Sequence, residues 1–200
     1  SLASTLFGYI IGLPMGIVLT VTDKDGIRPN AAVYKVLDVI SNLLRSIPFI
    51  ILLIVLIPFT RFVVGRSYGS TATIVPLTIA AAPYIARMVE SSLKEVDAGV
   101  IEAARSMGAS DFQIVTKVML VEARTSLIVG ATISLGTILG YSAMAGTVGG
   151  GGLGDIAIRY GYYRYQTDIM LVTVVLLVLL VQLLQYIGMT ISKKLDKRTR

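Results

Sequence analysis

Four charged side chains, Glu102, Arg105, Asp111 and Lys117, lie close together in an otherwise apolar part of the sequence. Charges at this spacing could serve acid–base chemistry or form an ion-paired recognition surface. The chain has 200 residues with no cysteine and no histidine. It therefore has no thiol nucleophile or thiolate metal site, and it lacks the commonest general base and metal ligand. The 12 acidic residues are scattered, so we predict recognition rather than catalysis and no metal site.

Two short helices joined at a glycine are predicted around these charges. Asp97 can cap a helix over residues 98–107, and Gly108 suits the left-handed conformation that ends such a helix. Ser110 followed by Gln113 forms the pattern of a capping box for the second helix. The sequence therefore predicts a helix–turn–helix.

Three interpretations of this helix–turn–helix compete: a solvated loop, a DNA-binding motif and a docking element for a partner protein. Lys117 and Gln113 provide few groups for reading base edges, so DNA binding is disfavoured and no nucleic-acid partner is expected. The small residues Ala103, Ala104 and Gly108 permit tight packing into a cleft. They favour the docking element.

The composition indicates a membrane protein. The chain is 54% hydrophobic and only 15% charged, with a mean hydropathy of +0.78, whereas soluble domains are nearer ~25% charged. Crossing a hydrocarbon layer of ~30 Å takes roughly 20 apolar residues in a helix. We predict an all-α polytopic membrane protein, a single transmembrane domain over residues 1–200 with five transmembrane helices. The predicted spans are about 1–22, 36–60, 71–89, 123–146 and 168–191.

Basic residues are distributed unequally between the predicted loops. Thirteen of the 18 Lys and Arg residues fall in the first and third loops and in the C-terminal tail. By the positive-inside rule, this side faces the cytoplasm. The loop over about 97–121 and the C-terminus are therefore predicted to be cytoplasmic.

Small residues mark two of the spans for close helix packing. Gly8, Gly12 and Gly16 form overlapping GxxxG repeats, and Gly136 and Gly140 form another. The repeats could serve packing within the chain or association with a second copy. We expect a second copy, because five helices enclose a pore poorly. The chain starts inside an apolar run, and we expect it to begin within a longer native chain.

Arg45 lies inside the second span, where a charge is costly unless it faces protein or water. It could reach the nearby interface and do nothing more. Alternatively, Arg45 and Ser46, just before a kink at Pro48, line the inner mouth of a solute path.

A gate is predicted near the end of the fourth span. Met144 is a flexible side chain among small residues, and a thioether makes an adaptable plug. We predict that Met144, with Tyr141 and Ser142, forms the outer gate. The four glycines over 149–152 indicate a turn rather than a phosphate loop, because no G-K-[ST] follows them.

The helix–turn–helix also resembles the EAA loop of ABC-importer permeases. Glu102, Ala103, Ala104, Gly108 and Leu120 match the family pattern. Val118 replaces its isoleucine, and Val121 stands where proline is usual. The resemblance implies that a coupling helix docks in a groove of an ATP-binding subunit. The implied docking residues are Glu102, Ala103, Ala104, Arg105, Met107 and Gly108.

Further segments are similar to the permeases of the methionine-uptake type, among them residues 45–53, 74–90 and 140–165. This similarity covers essentially the whole chain and implies the type I ABC-importer permease fold. It implies a homodimer in the bacterial inner membrane that imports D- or L-methionine by alternating access. The implied partners are membrane lipid, two ATP-binding subunits and an extracytoplasmic solute-binding protein. ATP and Mg would bind to the partner, and this chain would have no cofactor and no enzymatic activity.

Two alternatives stay open. One is a permease of the same class for another small solute. The other is an ion-coupled secondary transporter, which usually places ionisable groups at mid-membrane. Only Asp38, Arg45 and Glu90 are candidates for such groups here.

Overall fold

The structure, a computed structural model, describes residues 1–195, and all the regular secondary structure of these residues is helical. The predicted all-α class is therefore confirmed. The basic residues Lys197, Arg198 and Arg200, which contribute to the predicted orientation, lie outside the described residues.

The helices follow one another with short connections. In chain order they are α1 (Leu2–Thr22), α2 (Ala31–Ser46), α3 (Phe49–Val55), α4 (Ile57–Val64), α5 (Ile74–Lys94), α6 (Ala98–Ser106), α7 (Asp111–Gln113), α8 (Leu120–Glu122), α9 (Arg124–Met144), α10 (Gly152–Ile156) and α11 (Thr167–Leu195). A π-helical segment, Ile114–Met119, joins α7 to α8. A 3₁₀ turn, Ala145–Val148, follows α9, and a second π-helical segment, Ala157–Tyr162, follows α10.

Three helical stretches of the described chain are long and apolar enough to cross a membrane alone. They are Leu2–Thr22, Arg124–Val148 and Thr167–Leu195, and the bent pair α2–α3 would make a fourth. The predicted number of five spans is thus not shown precisely. The third predicted span corresponds to α5, which carries Arg87, Glu90 and Lys94 near one end and is largely buried among other helices.

The predicted span 36–60 is broken rather than straight. The axes of α2 and α3 meet at 103°, and the break falls at Ile47 and Pro48, as the predicted kink requires. The residue before a proline is pushed out of helical conformation, and Ile47 accordingly has an extended backbone with φ −82° and ψ 124°. The break turns the chain across the helical bundle, so Arg45 lies beside the bend between α2 and α3.

Helix α5 is the central element, and α1, α2, α3 and α9 all pack against it. Its buried positions recur along one broad face and include Leu77, Ala81, Ile85, Val89 and Leu93. A helix buried on most sides can contain small and polar residues that a lipid-facing helix would not. Helix α11, by contrast, is mostly exposed on its surface and is the most lipid-like helix.

The glycine repeats of α1 serve packing within the chain. Gly8, Gly12 and Gly16 are buried against α5. A Cβ atom at Gly12 would lie 2.6 Å from the carbonyl oxygen of Ala82, and one at Gly16 would lie 2.5 Å from that of Ala86. The α1 repeats therefore give no support to a second copy. They are required because the two backbones are almost in contact.

Gly12→Ala is expected to destabilise the fold by about 1–3 kcal/mol, the usual cost of overpacking. The matched control is Gly140→Ala in α9, since a Cβ there meets nothing within 4 Å. Alanine is favoured over glycine in a helix by roughly 0.5–1 kcal/mol, so the control should be neutral or stabilising. Thermal unfolding in detergent, followed by circular dichroism, measures both. Equal unfolding temperatures for the two variants would contradict the close α1–α5 packing.

Candidate functional site

A helical hairpin over residues 97–122 contains the charges from which the sequence analysis began. Asp97 caps α6 by accepting a hydrogen bond from the Gly99 amide at 2.7 Å. Gly108 has φ +83°, and Ser110 and Gln113 form the capping box that begins α7. These predicted features are all confirmed, because each depends on side chains only a few residues apart.

One side of the helical hairpin is buried against α5. Ala104, Ile114 and Met119 belong to the same buried cluster as Val89 and Leu93. Ala104, one of the predicted docking residues, therefore faces the core of this chain rather than a partner. Its small size allows α6 to pack closely against the π-helical segment Ile114–Met119, and the buried cluster they share extends to the central helix.

The opposite side of the hairpin is exposed. Glu102, Ala103, Arg105 and Gly108 all lie on this surface. Met107 is 83% exposed and Phe112 is 76% exposed, on either side of the glycine elbow. Two large apolar side chains exposed at one tip of a polar segment make it a candidate contact surface. The sequence analysis did not identify Phe112, although it is the one aromatic residue in this polar segment.

Arg105 has partners within the chain. Its guanidinium donates a hydrogen bond to the Ile27 carbonyl at 2.9 Å and lies 3.8 Å from an Asp111 carboxylate oxygen. It thereby fastens the hairpin to the α1–α2 loop. A cavity of about 430 Å³ separates this loop from α6, and Glu102 and Lys94 line it. Arg105, one of the predicted docking residues, thus stabilises the position of the hairpin within this chain.

A network of charged side chains, called here the charge network, joins the end of α1 and the middle of α2 to the C-terminal part of α5. Its members are Asp23, Asp38, Arg87, Glu90 and Lys94. Arg87 is paired with Asp38 of α2 and donates to Glu90 at 2.7 Å. Helical spacing places Asp38 on the same face as Arg45, seven residues later, whereas the fold pairs Asp38 with Arg87.

Glu90 is the buried centre of the charge network, with only 6% of its side chain exposed. Lys94 donates to Glu90 at 2.8 Å and lies 2.6 Å from an Asp23 carboxylate oxygen. The hydrogen bond from Lys94 lowers the pKa of Asp23. Because its pKa is lowered, Asp23 stays ionised at neutral pH and keeps its contact with Lys94. The contact is lost only in acid, as the pH falls through the lowered pKa. The network therefore holds three helices together next to the hairpin.

The predicted outer gate lies at the other end of α9. Met144 is the last residue of α9 and is 46% exposed. The glycine run that follows forms a tight turn, since Gly149, Gly151 and Gly152 all have φ between +75° and +81°. Only glycine adopts this conformation readily, so the run fixes where the chain reverses after Met144.

The structure brings Arg45 and Tyr141 into one cavity of about 160 Å³. The Tyr141 ring stacks on Phe49, with centroids 4.7 Å apart and an interplanar angle of 8°. Ser46 does not join them, because its hydroxyl donates to the Asn42 carbonyl at 2.7 Å within its own helix. Ser142 is partly buried and does not line this cavity.

Among residues 1–195, no group of three or more acidic, His or Cys side chains could hold a metal ion. Apolar helices, an exposed helical hairpin and a polar cavity between helices are typical of a membrane transport subunit. The chain belongs to the family of binding-protein-dependent transport system inner membrane components, whose family model matches residues 9–200.

Two similar proteins carry the name "Probable D-methionine transport system permease protein MetI". The protein of Vibrio cholerae is 50% identical over 191 residues, which is 96% of this chain and 85% of that protein. The protein of Pasteurella multocida is 48% identical over 195 residues, which is 98% of this chain and 90% of that protein.

Solved structures show the same fold. A structure of the MetNI methionine ABC transporter in an inward-facing conformation matches with a TM-score of 0.96 and 52% identity, covering 98% of this chain and 91% of that chain. An amino acid ABC transporter crystallised with histidines matches with a TM-score of 0.73 at 19% identity, covering 96% and 88%. The first comparison confirms the predicted type I ABC permease fold, and the second reflects the fold alone.

Arg87→Gln should destabilise the fold strongly. It leaves the carboxylates of Glu90 and Asp38 without their shared cation, and breaking a buried pair costs about 3–5 kcal/mol. The control is Arg159→Gln, which removes an exposed guanidinium from its pair with Asp155 and should cost at most about 1 kcal/mol.

Thermal unfolding of the purified chain in detergent measures both changes. Adding Asp38→Asn to Arg87→Gln should recover part of the loss, because it removes one unpaired carboxylate. If Arg87→Gln and Arg159→Gln unfolded at the same temperature, the charge network would not hold α2 against α5.

Proposed function

We propose that this chain is the membrane-spanning subunit of an ATP-driven importer for methionine, in its D or L form. The observation that carries the proposal is the match to the methionine ABC transporter structure, which extends over 98% of the chain at 52% identity. The proposal is further supported by two relatives whose names specify D-methionine transport.

In this proposal two copies of the chain form the translocation pathway, and each receives one ATP-binding subunit on its helical hairpin. Glu102, Ala103, Arg105, Met107 and Gly108 supply the docking surface, together with Phe112. Support comes from the exposure of Met107 and Phe112, which would place apolar side chains in a groove of the partner. Ala104 acts from behind the surface, as a packing residue. ATP and Mg bind to the partner, and this chain supplies no cofactor.

Motion at the hairpin can reach the membrane helices through a continuous series of contacts. Ala104, Ile114 and Met119 pack in the cluster that contains Val89 and Leu93 of α5. Helix α5 in turn is held to α1 by the glycine contacts and to α2 by Arg87. Closure of the ATP-binding subunits would therefore move α1, α2 and α5 together, which is the rigid element that alternating access needs.

The remaining parts of the proposal concern orientation. The single domain over residues 1–200 lies in the bacterial inner membrane, with the hairpin and the C-terminus in the cytoplasm. Met144, Tyr141 and Ser142 then lie toward the outer face, where they form the gate and where a solute-binding protein delivers methionine. The excess of basic residues on the hairpin side supports this orientation.

Reconstituted vesicles containing the chain, the ATP-binding subunit and the binding protein test the function. We expect methionine uptake that requires ATP and continues in the presence of an uncoupler. Uptake that ceases with an uncoupler while ATP stays high would favour a secondary transporter instead. Uptake of another small solute in place of methionine would show a different permease of this class.

Gly108→Asp tests docking in the same vesicles. A charged side chain at the elbow would clash with the partner groove, so uptake should fall by ~10-fold or more, equivalent to ~1.4 kcal/mol of lost docking. Gly65→Asp is the control, because Gly65 also has a positive φ, +76°, and open space around it but ends α4 instead. Both variants should insert and dimerise, and unimpaired uptake by Gly108→Asp would contradict docking at the elbow.

Met144→Ala tests the gate. A smaller side chain at the end of α9 should leave the assembly intact but weaken the outer seal, so ATP hydrolysis without methionine should rise several-fold. Met189→Ala on α11 provides the control, since Met189 is similarly exposed at 40% but lies far from the gate in sequence. If basal hydrolysis and uptake are both unchanged by Met144→Ala, Met144 does not form the gate.

A further inference from the structure

The small cavity beside Arg45 lies where α2 bends into α3 and where both meet α5 and α9. Its polar lining consists of the Arg45 guanidinium and the two tyrosines Tyr84 and Tyr141, and Phe49 and Leu52 complete its apolar wall. Its volume is about 160 Å³. It is thus a pocket with one cation and three aromatic rings, set among otherwise apolar helices.

Arg45 lacks the partners that other charges in these helices have. Arg87 meets two carboxylates, whereas no carboxylate in the part of the chain that the structure describes lies within salt-bridge distance of Arg45. Fourteen residues of α2 precede it, which places it about 20 Å from the helix start. Arg45 is exposed beside the bend, and at this depth in a membrane span a cation is costly unless it faces water or an anion.

The aromatic wall of the cavity is rigid. Phe49 and Tyr141 are stacked in parallel, and Phe49 is buried. The Thr137 hydroxyl donates its one hydrogen to the Ile133 carbonyl at 3.1 Å, so the Tyr84 hydroxyl, 3.4 Å away, donates to Thr137. This hydrogen bond holds Tyr84 in place in the wall of the cavity. Aromatic rings attract thioether sulfur.

Resting on the proposed function, we infer that this cavity binds the translocated amino acid. The Arg45 guanidinium binds its α-carboxylate, for which its paired N–H groups are suited. The Phe49–Tyr141 stack contacts its apolar thioether chain. Tyr141 lies one helical turn before Met144 on α9, so the bound solute is close to the outer gate. The path then contains a defined solute site rather than an unselective passage.

Direct binding to the purified complex of this chain with its ATP-binding subunits tests the inference, in nanodiscs and without the binding protein. The probes are methionine and methioninamide, which differ only at the carboxylate. For the unmodified complex, methioninamide should bind ~10-fold or more weaker, the usual effect of losing a hydrogen bond to a charged group. Arg45→Gln should weaken methionine binding by a similar factor and abolish the difference between the two probes.

Arg66→Gln, which removes the same charge from an exposed loop, should bind both probes as the unmodified complex does. A site on another subunit would keep its preference for methionine in Arg45→Gln, and that result would overturn the inference. If Arg45→Gln fails to assemble, Arg45→Lys replaces it. Lysine keeps the charge but not the paired donors, so the preference for methionine should shrink without vanishing. An undiminished preference in Arg45→Lys would overturn the inference.

The same complex in vesicles, supplied with ATP and the binding protein, separates this inference from the proposed function. If it imports methionine yet shows no saturable methionine binding, the solute site is disproved and the importer stands. If it imports no methionine, the proposed function fails and the inference fails with it.

Discussion

The near contact of α1 with α5 is the constraint on which the rest of the structure depends. Backbone carbonyls of α5 lie where side chains at Gly12 and Gly16 would otherwise be, and the Ala81 Cβ atom would lie 2.9 Å from a Cβ atom at Gly8, so all three positions require glycine. With α1 packed this closely on one side, and α2, α3 and α9 also packed against it, α5 lies at the centre of the fold. Once α5 is central, its two ends become the places where the remaining elements are positioned.

One end of α5 combines two kinds of attachment. Apolar packing of Ala104, Ile114 and Met119 holds the helical hairpin, and the charge network around Glu90 holds α1 and α2. Apolar contacts tolerate sliding, whereas buried ion pairs fix register because an unpaired charge is costly there. A force applied to the hairpin would therefore move α1, α2 and α5 together.

Toward the other end, the bend at Pro48 creates a pocket that straight helices would not leave. It turns α3 across the bundle, stacks Phe49 on Tyr141 and leaves Arg45 at the corner. Discontinuous helices in membrane transporters characteristically surround a cavity, because irregular backbone is tolerated only where it faces protein or water.

The sequence by itself determined the helices, the caps at Asp97 and Ser110 and the left-handed Gly108. These features depend on neighbours within about one turn of helix, so they can be predicted from spacing alone. Only the tertiary structure decided which distant groups meet. Asp38 shares a helical face with Arg45, yet it pairs with Arg87, which is 49 positions away. Likewise, the α1 glycines pack against α5 of the same chain rather than against a second copy, and Arg45 lines the same cavity as Tyr141. Such pairings follow from how whole helices pack, and helical periodicity gives the face of a residue but not the helix that covers it.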